Sequence, residues 1–208
     1  MEIILASASP RRKSLMDVLG LDFKIVVSDC EEVIDNTSKV EDIVMSLSKQ
    51  KAQDVAKKVG DDCIVIGADT VVSYQNEILG KPRDKADAVR MLKLLSGKTH
   101  SVYTGFTIIK TRDNQIITDY EKSDVTFKIL TDEEITNYVN TNDPLDKAGA
   151  YSIQGIASSF VEFLDGDYNN VVGLPIYKLS KYLYNSFYIK GDYFHVKQKI
   201  NWRYRGFR

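Results

Sequence analysis

The strongest constraint on the fold is a run of apolar residues between positions 63 and 72. Cys63-Ile64-Val65-Ile66 and Val71-Val72 lie on either side of Gly67-Ala68-Asp69-Thr70. A strand without a polar face belongs in a sheet that is covered on both sides. We therefore expect a buried central strand, interrupted at residues 67–70, in a sheet packed between helices.

The segments before and after this strand differ in pattern. Residues 3–6 and 23–27 predict strands, each followed by a helix, the first opening at Ser9-Pro10 and the second spanning residues 40–59. After a helix capped by Asp84, three β-rich stretches follow in succession, at residues 101–109, 115–120 and 123–130. Alternating strands and helices followed by consecutive strands predict an α/β fold with a mixed sheet flanked by helices.

The remaining elements complete one domain. Thr131 and Glu134 predict a capping box at the start of a helix, and residues 142–155 predict a long loop. Residues 161–164 and 170–172 predict strands, and Pro175 begins a final helix that reaches residue 187. Since residues 1–187 contain neither an internal repeat nor a linker, we predict one domain there and an extension at residues 188–208.

Composition excludes several classes of protein. Lys and Arg number 28 against 29 Asp and Glu, so the net charge of −1 provides no global field for binding nucleic acid or membrane. No apolar run approaches the roughly 20 residues that span a bilayer, and the first residues do not resemble a secretion signal. Two isolated cysteines, Cys30 and Cys63, predict reduced thiols, and together these features predict a cytoplasmic protein without a membrane partner.

The extension at residues 188–208 mixes basic and aromatic residues. Such a mixture can bind single-stranded nucleic acid through phosphate contacts and base stacking. An extension that is mobile or docks on the core is the simpler interpretation, and we favour it over nucleic-acid binding.

The turn Ser7-Ala8-Ser9-Pro10-Arg11-Arg12 follows the first predicted strand and begins the first helix. Free N–H groups at a helix start attract anions, and arginine side chains add bidentate donors for phosphate. The turn lacks the glycine-rich pattern of a P-loop. The alternative interpretation is an N-capped surface helix with exposed arginines.

Two charged residues lie where apolar ones are expected. Lys51 shares a helix face with the apolar residues at positions 43, 47 and 55, so its ammonium must reach solvent, lose its proton or meet an anion such as a bound phosphate. Asp69 lies within the apolar strand, where an unpaired carboxylate is costly. It therefore needs a cation, a metal ion or hydrogen-bond donors, and a structural role in the Gly67-Ala68 turn stays open beside a chemical one.

Further charged groups complete a candidate phosphate site. Gly80-Lys81-Pro82 adds a cation after a predicted hairpin, and Glu31-Glu32 offers oxygen ligands for Mg²⁺. Mg²⁺ usually combines one or two carboxylates with substrate phosphate oxygens. Together with Lys51 and Asp69, these residues predict a cleft with several cations, a carboxylate base and a metal ion, which suits a polyphosphate substrate.

Six ordered segments carry a resemblance to a known family. They are Ser7-Ala8-Ser9-Pro10-Arg11-Arg12, Gly67-Ala68-Asp69-Thr70, Gly80-Lys81-Pro82, Ser96-Gly97-Lys98-Thr99-His100, Asp146-Lys147-Ala148-Gly149-Ala150-Tyr151-Ser152-Ile153-Gln154-Gly155 and Gly173-Leu174-Pro175. The chain closely resembles the Maf family of nucleoside triphosphate pyrophosphatases from about residue 3 to residue 187. The extension at residues 188–208 lies outside the resemblance.

The resemblance implies an elongated α/β fold with a central cleft, similar to inosine triphosphate pyrophosphatases, and often a homodimer. It implies hydrolysis of a nucleoside triphosphate to the monophosphate and pyrophosphate, with Mg²⁺ or Mn²⁺ as cofactor. It also implies roles for single residues. These are Asp69 as proton acceptor, Glu32 and Asp69 as metal ligands, and Ser7, Arg11, Arg12, Lys51 and Lys81 as phosphate-binding residues.

Three positions resemble those of one branch of the family. Arg12, Thr70 and Gln154 look like the branch that acts on dTTP and UTP, including modified uridine triphosphates, rather than the branch that acts on 7-methyl-GTP. The Gln154 amide has both a donor and an acceptor, so it can pair with the O4 and N3 edge of uracil or thymine. The expected role is housecleaning of the nucleotide pool. The alternative is a non-catalytic, nucleotide-binding regulator of cell division and septation, which would have no need of the Asp69 base.

Overall fold

The computed structural model describes residues 1–35 and 37–189, and within them a mixed sheet is flanked by helices. The strands are β1 Glu2–Leu5, β2 Phe23–Ile25, β3 Cys63–Tyr74, β4 Glu77–Leu79, β5 Thr99–Lys110, β6 Gln115–Phe127 and β7 Val161–Asp165. The helices are α1 Pro10–Asp17, α2 Val40–Ala56, α3 Lys85–Leu95, α4 Asp132–Asn140, α5 Tyr168–Val172 and α6 Ile176–Phe187. The predicted α/β class is confirmed. Residues 190–208 of the predicted extension lie outside the described residues.

The sheet is mixed because the front and middle of the chain pair differently. Its strand order is β2-β1-β3-β5-β6-β7, with β4 pairing with β3. Strand β1 lies parallel to both β2 and β3, whereas the other pairs are antiparallel. Because the chain leaves β1 for one neighbour and later returns on its other side, the carboxyl end of β1 is a switch point, where ligands bind in open α/β sheets.

One edge of β3 is shared by two short strands that leave a gap. Strand β1 pairs with residues 63–66 and β4 pairs with residues 72–74, whereas β5 pairs with residues 64–73 along the opposite edge. In the described part of the chain, no strand covers residues 67–71 on the first edge. Asp69 and Thr70 therefore lie in a notch in the sheet.

Both faces of β3 are covered, as its apolar sequence predicts. Ile64 and Ile66 belong to a core cluster that includes residues of α1 and α6. Val65 packs on the opposite face with Ala52 and Val55 of α2. No helix within residues 1–35 and 37–189 has the length and hydrophobicity that crossing a bilayer requires.

Helix α2 lies unusually close to the sheet because two glycines face it. A Cβ atom at Gly67 would lie 2.5 Å from the carbonyl oxygen of Ser48, and one at Gly105 would lie 2.3 Å from that of Val44. These separations are far shorter than a van der Waals contact, so only glycine permits this approach. The helix is thereby held over β3 at the level of Asp69, whose register partner on β5 is Gly105.

Most helix boundaries agree with the local sequence signals. The Ser9 side chain caps α1, Asp84 caps α3, and Thr131 forms the predicted capping box with Glu134 at the start of α4. Helix α6 follows Pro175 as predicted, while α2 ends at residue 56 rather than 59 and β2 ends at residue 25 rather than 27. The predicted loop at residues 142–155 contains short 3₁₀ turns.

Two predictions about strand continuity were wrong. Strand β3 runs unbroken through residues 67–70, because its ladder with β5 continues across them. The separate stretches predicted at residues 115–120 and 123–130 form one strand, β6, whose register with β5 extends from residue 115 to residue 126. Long-range pairing with a neighbour overrides a local interruption in the pattern.

The strand predicted at residues 170–172 is instead part of the short helix α5. The Asp167 carboxylate caps this helix by accepting a hydrogen bond from the Asn169 N–H at 2.7 Å. Asn170 is fully buried, and its amide nitrogen donates to the carbonyl oxygen of Val102 at 3.0 Å. The Asp167 cap is a local side-chain hydrogen bond of the kind that favours a turn or a helix start over a strand.

Candidate active site

An open cleft of about 470 Å³ lies over the notch in β3. Its walls come from the β1–α1 turn, the loop before α2, helix α2, strand β3, the loop after β4, the loop before β7 and the end of α5. The predicted site residues that line it are Arg11, Arg12, Glu32, Lys51, Asp69, Thr70 and Lys81. Ser7 and Gln154 are not among the lining residues.

Lys51 and Asp69 form an ion pair at the floor of the cleft. The Lys51 Nζ atom lies 2.5 Å from Oδ1 of Asp69, and the two side chains are only 17% and 14% exposed. The same nitrogen lies 3.0 Å from Oε1 of Glu32, which is 42% exposed. Two carboxylates therefore neutralise the Lys51 ammonium. It does not reach bulk solvent, and it is not an unpaired charge among the apolar residues of its helix face.

The close packing of α2 on the sheet explains why Lys51 and Asp69 are in contact. Asp69 lies two residues after Gly67 on β3, so both side-chain positions face the helix. On the helix, Lys51 follows Leu47 by one turn on the face that packs on the sheet, where Leu47 is buried. The backbone approach that Gly67 permits brings the ammonium within reach of a carboxylate that would otherwise be buried and unpaired.

Arg12 approaches β3 on the face opposite α2, and most of its donors form hydrogen bonds within the protein. Its Nε donates to the carbonyl oxygen of Gly173 at 2.8 Å, and Nη1 donates to Ser7 Oγ at 3.2 Å. Its Nη2 donates to Thr70 Oγ1 at 3.0 Å, and that hydroxyl also contacts Thr104 Oγ1 at 2.9 Å. Burial lowers the pKa of Arg12, and the negative charge of Asp69 partly opposes this shift. Arg12 thus ties three walls of the cleft together.

Arg11 and Lys81 are more accessible cations. The Arg11 side chain is 27% exposed, with Nη1 3.8 Å from Oδ2 of Asp146. Lys81 is exposed and lines the cleft on the β4 side. Since an ion pair at 3.8 Å near solvent is weak, Arg11 can turn to a phosphate. The exposed ammonium of Lys81 can reach a phosphate in the same cleft.

Sequence reasoning did not single out Asp146 and Lys147 as functional residues, although both line the cleft. Lys147 is buried, and its Nζ contacts Oδ1 of Asp146 at 2.7 Å and Oδ1 of Asp143 at 3.0 Å. Two signals were available: the loop at residues 142–155 is longer than a simple turn, and Asp146 and Lys147 begin one of the segments that resemble the family. These contacts neutralise Lys147 and keep Asp146 beside Arg11.

The carboxylates of Glu32 and Asp69 could together hold a divalent cation. Both contact the nitrogen of Lys51, so they are neighbours on one side of the cleft. Among the described residues, no group of three or more Asp, Glu, His or Cys side chains is arranged to hold a metal ion. Two carboxylates fit Mg²⁺ only if water and substrate oxygens complete its coordination.

Gln154, the residue predicted to read the base, lies next to the lining of the cleft rather than in it. Gln154 is exposed, and its backbone N–H donates to Ser152 Oγ at 3.2 Å. Ser152 and Ile153, the two residues before it, do line the cleft. Tyr151 lines it as well, and its hydroxyl lies 2.8 Å from Nε2 of the buried His100.

The structure is similar to a HAM1 protein from Coxiella burnetii, with 15% identity, coverage of 88% of this chain and 98% of the other, and a TM-score of 0.47. A dTTP/UTP pyrophosphatase of Alkaliphilus oremlandii is 54% identical over 186 residues, covering 89% of this chain and 96% of the relative. One of Bacillus anthracis is 55% identical over 182 residues, covering 88% and 94%.

A family model described as Maf-like protein matches residues 2–186. That span contains the whole cleft and the residues that resemble the family. The chain therefore belongs to the Maf family.

Proposed function

We propose that this protein hydrolyses dTTP and UTP, and modified uridine triphosphates, to the nucleoside monophosphate and pyrophosphate, in a nucleotide-housecleaning role. The observation that carries the proposal is the Asp69 carboxylate on the floor of a cation-lined cleft in a member of the Maf family. Relatives more than half identical over most of the chain bear the name dTTP/UTP pyrophosphatase. These names do not favour the alternative of a non-catalytic regulator of septation.

Asp69 is the proposed general base. A water molecule attacks the α-phosphorus, a new P–O bond forms, and Asp69 accepts a proton from that water. The bond between the α-phosphorus and the oxygen that bridges to the β-phosphorus breaks, and pyrophosphate leaves with that oxygen. The Lys51 ammonium, 2.5 Å from the carboxylate, holds its orientation toward the cleft.

Arg11, Lys51 and Lys81 are proposed to bind the triphosphate. Cations on several walls of one cleft can hold the chain of phosphates in line for displacement, which is the main task in phosphoryl transfer. Arg12 and Ser7 contribute indirectly, because they hydrogen-bond to each other and Arg12 bonds to the wall at Gly173. The remaining Arg12 N–H groups stay available to a phosphate oxygen.

Glu32 and Asp69 are proposed to hold Mg²⁺ or Mn²⁺ together with phosphate oxygens. When bound, the ion offsets negative charge on the α-phosphate and on the leaving pyrophosphate. Support for this site comes from the two carboxylates that share the Lys51 ammonium, which are oxygen donors of the kind that Mg²⁺ takes.

Gln154 is proposed to read the base, with Arg12 and Thr70 shaping the pocket that accepts it. The support is its place directly after Ile153, which lines the cleft, and the matched donor and acceptor of its amide. A wrong base would leave polar groups unpaired, which discriminates strongly. A homodimer and a cytoplasmic location are further proposals, testable by light scattering and by cell fractionation.

The test is a panel of nucleoside triphosphates with Mg²⁺ or Mn²⁺, in which pyrophosphate and orthophosphate are measured separately. We expect pyrophosphate from dTTP and UTP, and a loss of at least about 100-fold in kcat for Asp69→Asn, since general-base catalysis contributes that much or more. Orthophosphate as the primary product, or an Asp69→Asn variant with normal turnover, would refute the proposal.

A further inference from the structure

The loop between β2 and α2 carries Glu32 to the cleft without the support of a strand or helix. Residues 31–35 are all exposed and have no regular secondary structure. Glu32 and Ile34 nevertheless line the cleft, and Glu32 reaches Lys51 at 3.0 Å. An exposed segment holds one conformation only if specific contacts offset its conformational entropy. The contacts of Val33, the residue between the two lining residues, identify what holds it.

The Gln50 side chain clamps Val33 through two reciprocal hydrogen bonds. Gln50 Oε1 accepts from the Val33 N–H at 2.9 Å, and Gln50 Nε2 donates to the Val33 carbonyl oxygen at 2.9 Å. Nε2 also donates to Ser46 Oγ at 3.1 Å, one turn earlier on α2. The amide therefore bonds to both backbone polar groups of Val33, as a neighbouring β-strand would. These two bonds fix the position and the direction of the backbone at Val33.

The clamp lies directly beside the charged cluster. Gln50 precedes Lys51 on α2, and Val33 follows Glu32 in the loop. Two consecutive helix residues thus hold two consecutive loop residues. Gln50 holds Val33 by the amide clamp, and Lys51 holds Glu32 by an ion pair. We infer that Gln50 is a positioning residue that sets the Glu32 carboxylate for metal binding, an inference that rests on the metal role proposed for Glu32.

A second anchor holds the start of the same loop but is further from Glu32. The Asp54 carboxylate accepts hydrogen bonds from Ser28 Oγ at 2.8 Å and from the Asp29 N–H at 3.1 Å. Lys58 Nζ lies 2.8 Å from the same Asp54 oxygen and also contacts Asp29. We expect this anchor to keep the loop on α2 when the Gln50 clamp is removed, so that the effect of the clamp on Glu32 can be measured in a folded protein.

The test uses Gln50→Leu, whose branched apolar side chain can form neither of the two hydrogen bonds to Val33. Its matched control is Gln53→Leu, a glutamine on the same helix that takes no part in the Val33 hydrogen bonds. Mn²⁺ binding is measured by electron paramagnetic resonance in the presence of a non-hydrolysable α,β-imido uridine triphosphate. Amide hydrogen exchange of residues 31–35 is measured on the same proteins.

For Gln50→Leu we expect Mn²⁺ affinity to fall by about 10-fold or more, as for other residues that orient a metal ligand. Exchange at residue 33 should rise roughly 5- to 10-fold from the lost hydrogen bond. The Mg²⁺ concentration for half-maximal hydrolysis should rise while kcat at saturating Mg²⁺ changes little. Gln53→Leu should match the wild type in all three measurements.

A double variant separates positioning from general damage. If Gln50 acts through Glu32, adding Gln50→Leu to Glu32→Gln should weaken Mn²⁺ binding by less than about 2-fold further, because the two effects are not additive. Fully additive losses, or unchanged Mn²⁺ affinity in Gln50→Leu alone, would overturn the inference and leave the proposed function standing. Unchanged Mn²⁺ affinity in Glu32→Gln would overturn the metal role of Glu32 and the inference with it.

Discussion

Substituting Gly105 by alanine tests the packing that assembles the active site. Gly105 lies on β5 directly opposite Asp69. The backbone of α2 occupies the space where a side chain of residue 105 would lie. A Cβ atom there would lie 2.3 Å from the carbonyl oxygen of Val44 and 2.4 Å from its carbon. Backbone atoms cannot rotate away as a flexible side chain can, so the helix itself must move.

The size of the effect follows from those distances. Ordinary contact begins at 3.4 Å, so α2 must retreat by about 1 Å from the 2.3 Å separation. Overpacking of this kind costs about 1–3 kcal/mol of unfolding free energy. The same retreat pulls Lys51 away from Asp69, and a 1 Å misplacement in an active site can cost about 100-fold in rate. We expect Gly105→Ala to lose both stability and dTTP hydrolysis.

The assay combines urea unfolding with single-turnover hydrolysis of dTTP. Gly60→Ala is the control, because a Cβ atom at Gly60 would meet nothing within 4 Å. It should leave the rate unchanged and shift unfolding by less than about 1 kcal/mol. A Gly105→Ala variant as stable and as active as Gly60→Ala would refute the claim that glycine packing positions Lys51.

Three further outcomes follow from the site. Lys51→Met should raise the KM for dTTP about 10-fold or more with the fold retained by circular dichroism; an unchanged KM would mean that Lys51 does not bind phosphate. Gln154→Ala should reduce the preference for dTTP and UTP over CTP by about 10-fold in kcat/KM, and an unaltered substrate profile would remove Gln154 from base recognition. Burial lowers the pKa of His100 to about 4. As the pH falls from 6.5 to 4, this histidine becomes protonated in the unfolded chain before it does in the folded protein. The free energy of unfolding therefore falls by about 3 kcal/mol over that range. His100→Gln, which can keep the hydrogen bond to Tyr151, should flatten that pH dependence in urea unfolding, and an identical slope would contradict it.

Local signals predicted helix boundaries well because capping is a local interaction. Ser9, Asp84 and Thr131 each cap the helix that follows them, through bonds to an N–H three residues away. Strand continuity was predicted less well at residues 67–70 and 115–130. Those residues form single strands because of their ladder with β5, which no short window of sequence contains.

The candidate site shows the same division between residue identity and arrangement. Sequence patterns singled out Lys51 and Asp69 separately, as charges in apolar surroundings, without indicating that each neutralises the other. Arg12 was grouped with Arg11 as a phosphate ligand, yet its guanidinium bonds to Gly173 and Thr70. Gln50 carried no sequence signal at all, because a polar residue on a helix surface is ordinary until its partner is known.

The sequence by itself determined the α/β class, the caps and the set of ionisable residues, since periodicity and local hydrogen bonding depend on neighbours along the chain. The tertiary structure alone decided which charges meet. The notch in β3 exists because β1 and β4 cover separate ends of one strand edge, and Lys51 reaches Asp69 because Gly67 and Gly105 let α2 rest on the sheet. Those distances depend on contacts between residues far apart in the chain, and a charge is paired or exposed according to them.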